Sequence, residues 1–122
     1  MPNFNYTTEQ PLPVDIAPTT DSVVPTTATA YKKGDLLIIA ADTNAATHSV
    51  TGKDFHAICL ADVTAEQVTE KLAMGVEMPV YIAGKFDVAQ VKINGVALTP
   101  TQKLAARAHA NRSLPITLSV VK

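Results

Sequence analysis

Lys32-Lys33-Gly34-Asp35-Leu36-Leu37-Ile38-Ile39-Ala40 decides the fold class of this chain. A charged turn closes on Gly34-Asp35 and gives way to an apolar run too short for a helix, which reads as a buried strand. Working outward, Asp42-Thr43-Asn44 turns the chain into a second strand over 46–50. Thr51-Gly52-Lys53-Asp54 turns it again into 55–61. Strands separated by a few turn-forming residues are the pattern of antiparallel hairpins.

Further along, two readings compete. Thr64-Ala65-Glu66-Gln67 has the form of a capping box opening a short helix. Leu72, Met74, Val76, Met78, Val80 and Ile82 alternate at period two, which favours a strand with one buried face. The spacing predicts a strand over 76–83 and leaves 64–75 open. Gly84 is then read as a turn into 85–93, and Asn94-Gly95 as a tight turn. Thr99-Pro100-Thr101-Gln102 joins an N-cap threonine, a first-turn proline and a glutamine able to bond back to the cap. A helix over 101–111 follows, with Leu104 and Ala108 on its apolar face. Leu114-Pro115 leads into a last strand over 116–121, limited by its proline to an edge or a strand start. The fold class is α+β, mostly β: a small hairpin-built, barrel-like domain over 30–122 with one short helix near its C-terminal end.

Upstream of this domain the composition changes. Residues 1–29 hold five prolines and seven threonines but no glycine, lysine or arginine. Prolines at this spacing interrupt helices and remove ladder donors, so the segment is expected to be an extended arm, disordered when free. Between prolines, 3–10 and 21–24 are free to add a few residues to the edge of a partner's sheet. The arm residues assigned to a partner are Pro2, Asn3, Phe4, Asn5, Tyr6, Thr7, Thr8, Val14, Ile16, Val23 and Val24. A tail without a role is the other reading of the same composition.

Charge and chemistry narrow the function further. The first thirty residues carry Glu9, Asp15 and Asp21 against no base, and the remaining 10 basic and 8 acidic residues leave +2. Neither part has the basic stripe that phosphate binding needs, which argues against nucleic acid. No apolar run approaches the ~18 residues of a membrane span, and the first residues lack a signal-peptide pattern. Cys59 alone cannot form an internal disulfide and suits a reducing cytoplasm. On a strand, His56 and Cys59 point to opposite faces, so they do not share a metal ion, and Cys59 reads as a core residue. His48 and Ser49 are adjacent on a strand and also point apart, which defeats a base–nucleophile pair. Asp42, Asp54, Asp62 and Asp87 sit at turns or strand ends as local acceptors. The five glycines are scattered, so no phosphate loop forms. These residues predict no enzyme, cofactor or metal.

Five segments in order carry a resemblance. They are Gly34-Asp35-Leu36-Leu37, His56-Ala57-Ile58-Cys59-Leu60-Ala61 and Tyr81-Ile82-Ala83-Gly84-Lys85-Phe86, then Thr101-Gln102-Lys103-Leu104-Ala105 and Leu114-Pro115-Ile116-Thr117-Leu118-Ser119-Val120. Over about 27–121, and with a Thr/Pro-rich arm before it, the chain resembles the head decoration proteins of lambda-type tailed bacteriophages. That resemblance implies a small β-tulip-like domain that trimerises on the local three-fold positions of an expanded capsid. There it cements neighbouring copies of the major capsid protein against internal DNA pressure, its arm adding to a capsid-protein sheet. The location implied is the outer surface of the virion, after synthesis in the bacterial cytoplasm. A tail or spike module is the rival reading within virions, and a small enzyme the rival outside them.

Overall fold

In the computed structural model, which describes residues 18–120, the run Leu36–Ile39 is a strand with an antiparallel neighbour on each side. The strands are β1 (Thr19–Pro25), β2 (Leu36–Ile39), β3 (Ala45–His48), β4 (Ala57–Cys59), β5 (Met78–Asp87), β6 (Lys92–Ile93), β7 (Val96–Ala97) and β8 (Ile116–Ser119). Helix α1 (Ala65–Met74) lies between β4 and β5, and helix α2 (Pro100–Ser113) between β7 and β8. Six strands form one sheet in the order β1-β3-β2-β4-β5-β8, and β1 also pairs with β5. The ladder thus runs round from β1 to β5 and back. Its β1–β3 link is only Val24↔Ala45 and Pro25↔Ala46, so the sheet is barrel-like without strict closure. The expected α+β, mostly β class is what the chain adopts.

The apolar runs are continuous because these strands are covered on both faces. Leu37, Ala57, Cys59 and Val80 belong to one cluster with Val23, Tyr31, Met78 and Val68 of α1. Their sequence neighbours Leu36 and Ile58 belong to a second, with Phe55, Ile116, Leu118 and Ala106 and Ala110 of α2. Period-two alternation therefore sorts residues between two cores rather than between core and solvent.

The open segment resolves, and four local expectations change. Residues 64–75 are a helix: the Gln67 N–H donates to the Thr64 hydroxyl (3.1 Å), the Thr64 N–H donates to Gln67 Oε1 (2.9 Å), and Gly75 closes the helix at φ 68°. The alternation that argued for a strand there extends past the real one, since Met74 is 71% exposed while Met78 and Val80 are fully buried. Gly84 is not a turn but lies inside β5, at φ 131°, where the strand hands over from β1 to β8. Helix α2 buries Ala106 and Ala110, and leaves Leu104 65% exposed, so its inner face is the small-residue one. Finally, the domain extends upstream of residue 30, because Thr19–Pro25 is a strand of its own sheet. Not every connection is a hairpin, as β1–β3 and β5–β8 are parallel.

Candidate interaction surface

Strand β1 is where the Thr/Pro segment becomes part of the domain. Thr20, Asp21, Ser22 and Val23 pair antiparallel with Tyr81, Val80, Pro79 and Met78 of β5, and β3 joins only at Val24 and Pro25. One backbone edge of Thr19–Ser22 therefore has no strand partner among the described residues, although on it the Ser22 carbonyl accepts from Asn44 Nδ2 (2.9 Å) and the Ser22 N–H donates to Asp21 Oδ1 (2.8 Å), and all four side chains are exposed. An unpaired edge presents a row of donors and acceptors suited to another strand. Just before it, Pro18 packs against Gly84. A Cβ on that glycine would lie 3.1 Å from Pro18 Cα and 3.2 Å from Phe86 Cζ.

The residues assigned to a partner divide sharply at this point. Pro2, Asn3, Phe4, Asn5, Tyr6, Thr7, Thr8, Val14 and Ile16 lie outside the described residues. Val23 is 2% exposed and packs in the domain's own core, so the expectation that it contacts a partner is withdrawn. Val24 is half-buried, and its N–H donates to the Asn44 carbonyl at 2.9 Å, which commits that backbone donor to the domain.

Sequence reasoning missed two anchors, the first of which ties down the end of β1. The buried Tyr31 hydroxyl accepts from the Thr26 N–H (2.9 Å) and donates to the Ala46 carbonyl (2.7 Å). Thr26 Oγ1 donates to the same carbonyl at 2.6 Å, so the end of β1 is tied to β3 through side chains. Asp35 is fully buried; its carboxylate accepts from the Lys32 N–H and the Gly95 N–H, each at 2.8 Å. That carboxylate joins two turns sixty residues apart, and one of them requires glycine. A Cβ on Gly34, at φ 94°, would stand 2.3 Å from the Gln90 carbonyl oxygen. The Gly34-Asp35 pair was legible as a turn, but nothing local signals that its carboxylate is buried.

The candidate chemical groups are engaged in structural contacts. Cys59 is buried, its thiol donates to the Ala61 carbonyl at 3.0 Å, and burial pushes its pKa up to about 11. His56 is exposed and accepts at Nδ1 from the Ile39 N–H (3.0 Å). His48 Nε2 meets the Ala30 carbonyl at 2.8 Å, whereas the neighbouring Ser49 donates to Asp54 and accepts from the Gly52 N–H. Burial alone would raise the Asp54 carboxyl, but the Ser49 hydroxyl and the loop amides outweigh it and hold the group below its ordinary value. Asp87 accepts from the Ala89 N–H, the local role expected of it, whereas Asp62 accepts from the Lys33 N–H twenty-nine residues away and so ties two turns together. Among the described residues no three His, Cys, Asp or Glu side chains are placed to hold a metal ion. Nor, among those residues, is any helix long and apolar enough to cross a membrane.

What the surface offers is a stretch of β1 backbone edge without a strand partner among the described residues. No protein-family model matches this chain, and no curated protein matches it.

Proposed function

We propose that this chain is a capsid-cementing protein of the kind that decorates lambda-type phage heads. It binds the outside of an expanded capsid as homotrimers at three-fold positions and clamps neighbouring copies of the major capsid protein. The N-terminal arm adds to a capsid-protein sheet, and the edge of Thr19–Ser22 lies at its foot.

The observation that carries this reading is where the resembling segments lie. Leu36 pairs with Ile58, Ile58 with Tyr81, and Gly84 with Ile116, while α2 packs its alanines on the same core. Segments far apart in sequence are thus consecutive neighbours in space, which supports a likeness of whole domain rather than of isolated motifs. The mechanism is multivalent. Ordering an arm costs about 1–2 kcal/mol per residue, so one arm alone binds weakly. Three arms on one base make the later attachments intramolecular and raise avidity by about 10²–10⁴.

Co-sedimentation with empty expanded phage capsids tests the proposal. Saturable binding at three copies per three-fold position is the expected result. Failure to bind any expanded head, together with binding to tails or fibres, would replace this reading with that of a tail or spike module.

A further inference from the structure

A cleft of about 590 Å³ opens between the Lys32–Gly34 turn, β4, the second half of β5 and the stretch 90–92. Ile58, Tyr81, Phe86 and Val91 give it an apolar lining, with the Tyr81 and Phe86 rings 5.0 Å apart and forming one shelf. Lys32, Lys33, Lys85 and Lys92 stand around it. Among the described residues none of these ammonium groups lies within 4.0 Å of a carboxylate. Only Lys92 has a side-chain hydrogen bond there, to the Lys33 carbonyl at 3.2 Å. The two acids of the cleft, Asp62 and Asp87, already accept from backbone N–H groups. Four lysines against two aspartates leave it with a charge of +2, in a chain whose net charge is −1.

The backbone adds a second feature. Gly84–Asp87 pair with β8 alone, so one edge of this half of β5 has no strand partner among the described residues. Lys85, Phe86 and Asp87 all line the cleft, next to that edge. Unpaired cations, an aromatic shelf and an open strand edge together ask for one kind of ligand.

We propose that this cleft binds an extended acidic peptide segment of a partner protein. The segment's main chain lies along the open edge of β5, an apolar side chain sits on the Tyr81–Phe86 shelf, and flanking carboxylates face the lysines. A small free anion has no use for the shelf. Nucleic acid needs a broader basic surface than two net charges provide. This goes beyond the capsid reading, which assigns no partner contact to these groups, and its test needs no capsid.

The experiment is a titration of the full-length, isotope-labelled protein with an eight-residue peptide alternating glutamate with valine and one phenylalanine. Amide shifts are expected at Gly34, Lys85–Asp87 and the stretch 90–92, with affinity falling about tenfold between low and physiological salt. A peptide with lysine in place of glutamate should leave them unmoved. Lys85→Glu should weaken binding at least tenfold, and the exposed, milder Lys85→Gln should weaken it less while leaving the spectrum folded. Three results would overturn the proposal: no shifts at the cleft, the same saturating shifts from inorganic phosphate alone, or clearly tighter peptide binding by a Glu9→Gln, Asp15→Asn variant. The last would make the chain's own first residues the occupant.

Discussion

Strands β1 and β8 both lie along β5, β1 antiparallel to its first part and β8 parallel to its second, with Gly84 at the handover. Only β8 is visible in the sequence. Ile116 and Leu118 are both buried, with exposed Thr117 between them, so β8 shows the alternation of a half-buried strand. In β1 the residues Thr19, Thr20, Asp21 and Ser22 are all exposed, and side-chain burial is confined to its end at Val23 and Pro25. One strand is held largely by its side chains and the other largely by its backbone ladder. Backbone pairing leaves little mark on residue type, so a strand built that way reads as a polar arm.

The largest effect should come from cutting the chain on either side of this boundary. Deleting residues 2–17 leaves β1 whole, and the domain should keep its cooperative unfolding; if the chain cements capsids as proposed, capsid binding should weaken severely. Deleting 2–28 removes the β1 ladder and Val23, and should cost at least about 4 kcal/mol or prevent folding altogether. Thermal unfolding of the two truncations separates the cases. Equal stability would mean that β1 is an arm after all.

Within the intact chain, side-chain truncation should weigh the two strands differently. Ile116→Ala opens a hole between the sheet and α2 and should cost about 3 kcal/mol, while Val23→Ala should cost roughly 2 kcal/mol at the buried valine of β1. Denaturant midpoints at constant m-value give both numbers. A Val23 effect as large as that of Ile116 would place β1's stability in its side chains rather than in its ladder.

The same physics sorts the rest of the chain. Features with local chemistry were legible: the Thr99–Gln102 capping box, the Asn94-Gly95 turn with φ 50° and 79°, and the run Leu36–Ile39. Helix α1 was half legible, because its cap competed with an alternation that ran on from β5 through Leu72. That leucine does pack on the β1-side core, but from the helix. Leu104 misled for the opposite reason: the larger side chain was taken for the inner face, whereas α2 approaches its core through Ala106 and Ala110. For the candidate interaction surface, the composition of the first residues raises strand addition as an expectation. It did not show where the domain's own sheet takes over, since that depends on Tyr31, Thr26 and Ala46 meeting in space.

Alkaline pH offers a lever on the β1-side core alone. Cys59 belongs to the cluster that contains Val23, and burial raises its pKa from 9.0 to about 11. The folded state holds the thiol proton more tightly than the unfolded one. Its contribution is complete below pH 9 and is lost as pH rises towards 11. At 1.36 kcal/mol per unit, the full loss is about 2–3 kcal/mol. Stability measured from pH 8 to 11 should fall more steeply for the native sequence than for Cys59→Ala, which itself costs about 1 kcal/mol at neutral pH. Parallel curves for the two proteins would show that the thiol is not buried in solution.

The smallest effect on stability should be the most informative about function. Thr20 is exposed, pairs with Tyr81 on one side, and lies on the stretch of β1 whose other edge has no strand partner among the described residues. Proteins that must keep such an edge from pairing place lysine on it. Thr19–Ser22 has no basic residue, and its single charge is Asp21. Thr20→Lys buries nothing and breaks no side-chain hydrogen bond among the described residues, so unfolding should shift by less than about 0.5 kcal/mol. If the edge is where a capsid strand docks, the same variant should lose capsid affinity by about tenfold or more, and Thr20→Val should not. A Thr20→Lys protein as stable as the parent that coats capsids equally well would confine the contact to residues before Pro18, leaving β1 the purely internal strand that its pairing with β5 already makes it on one side.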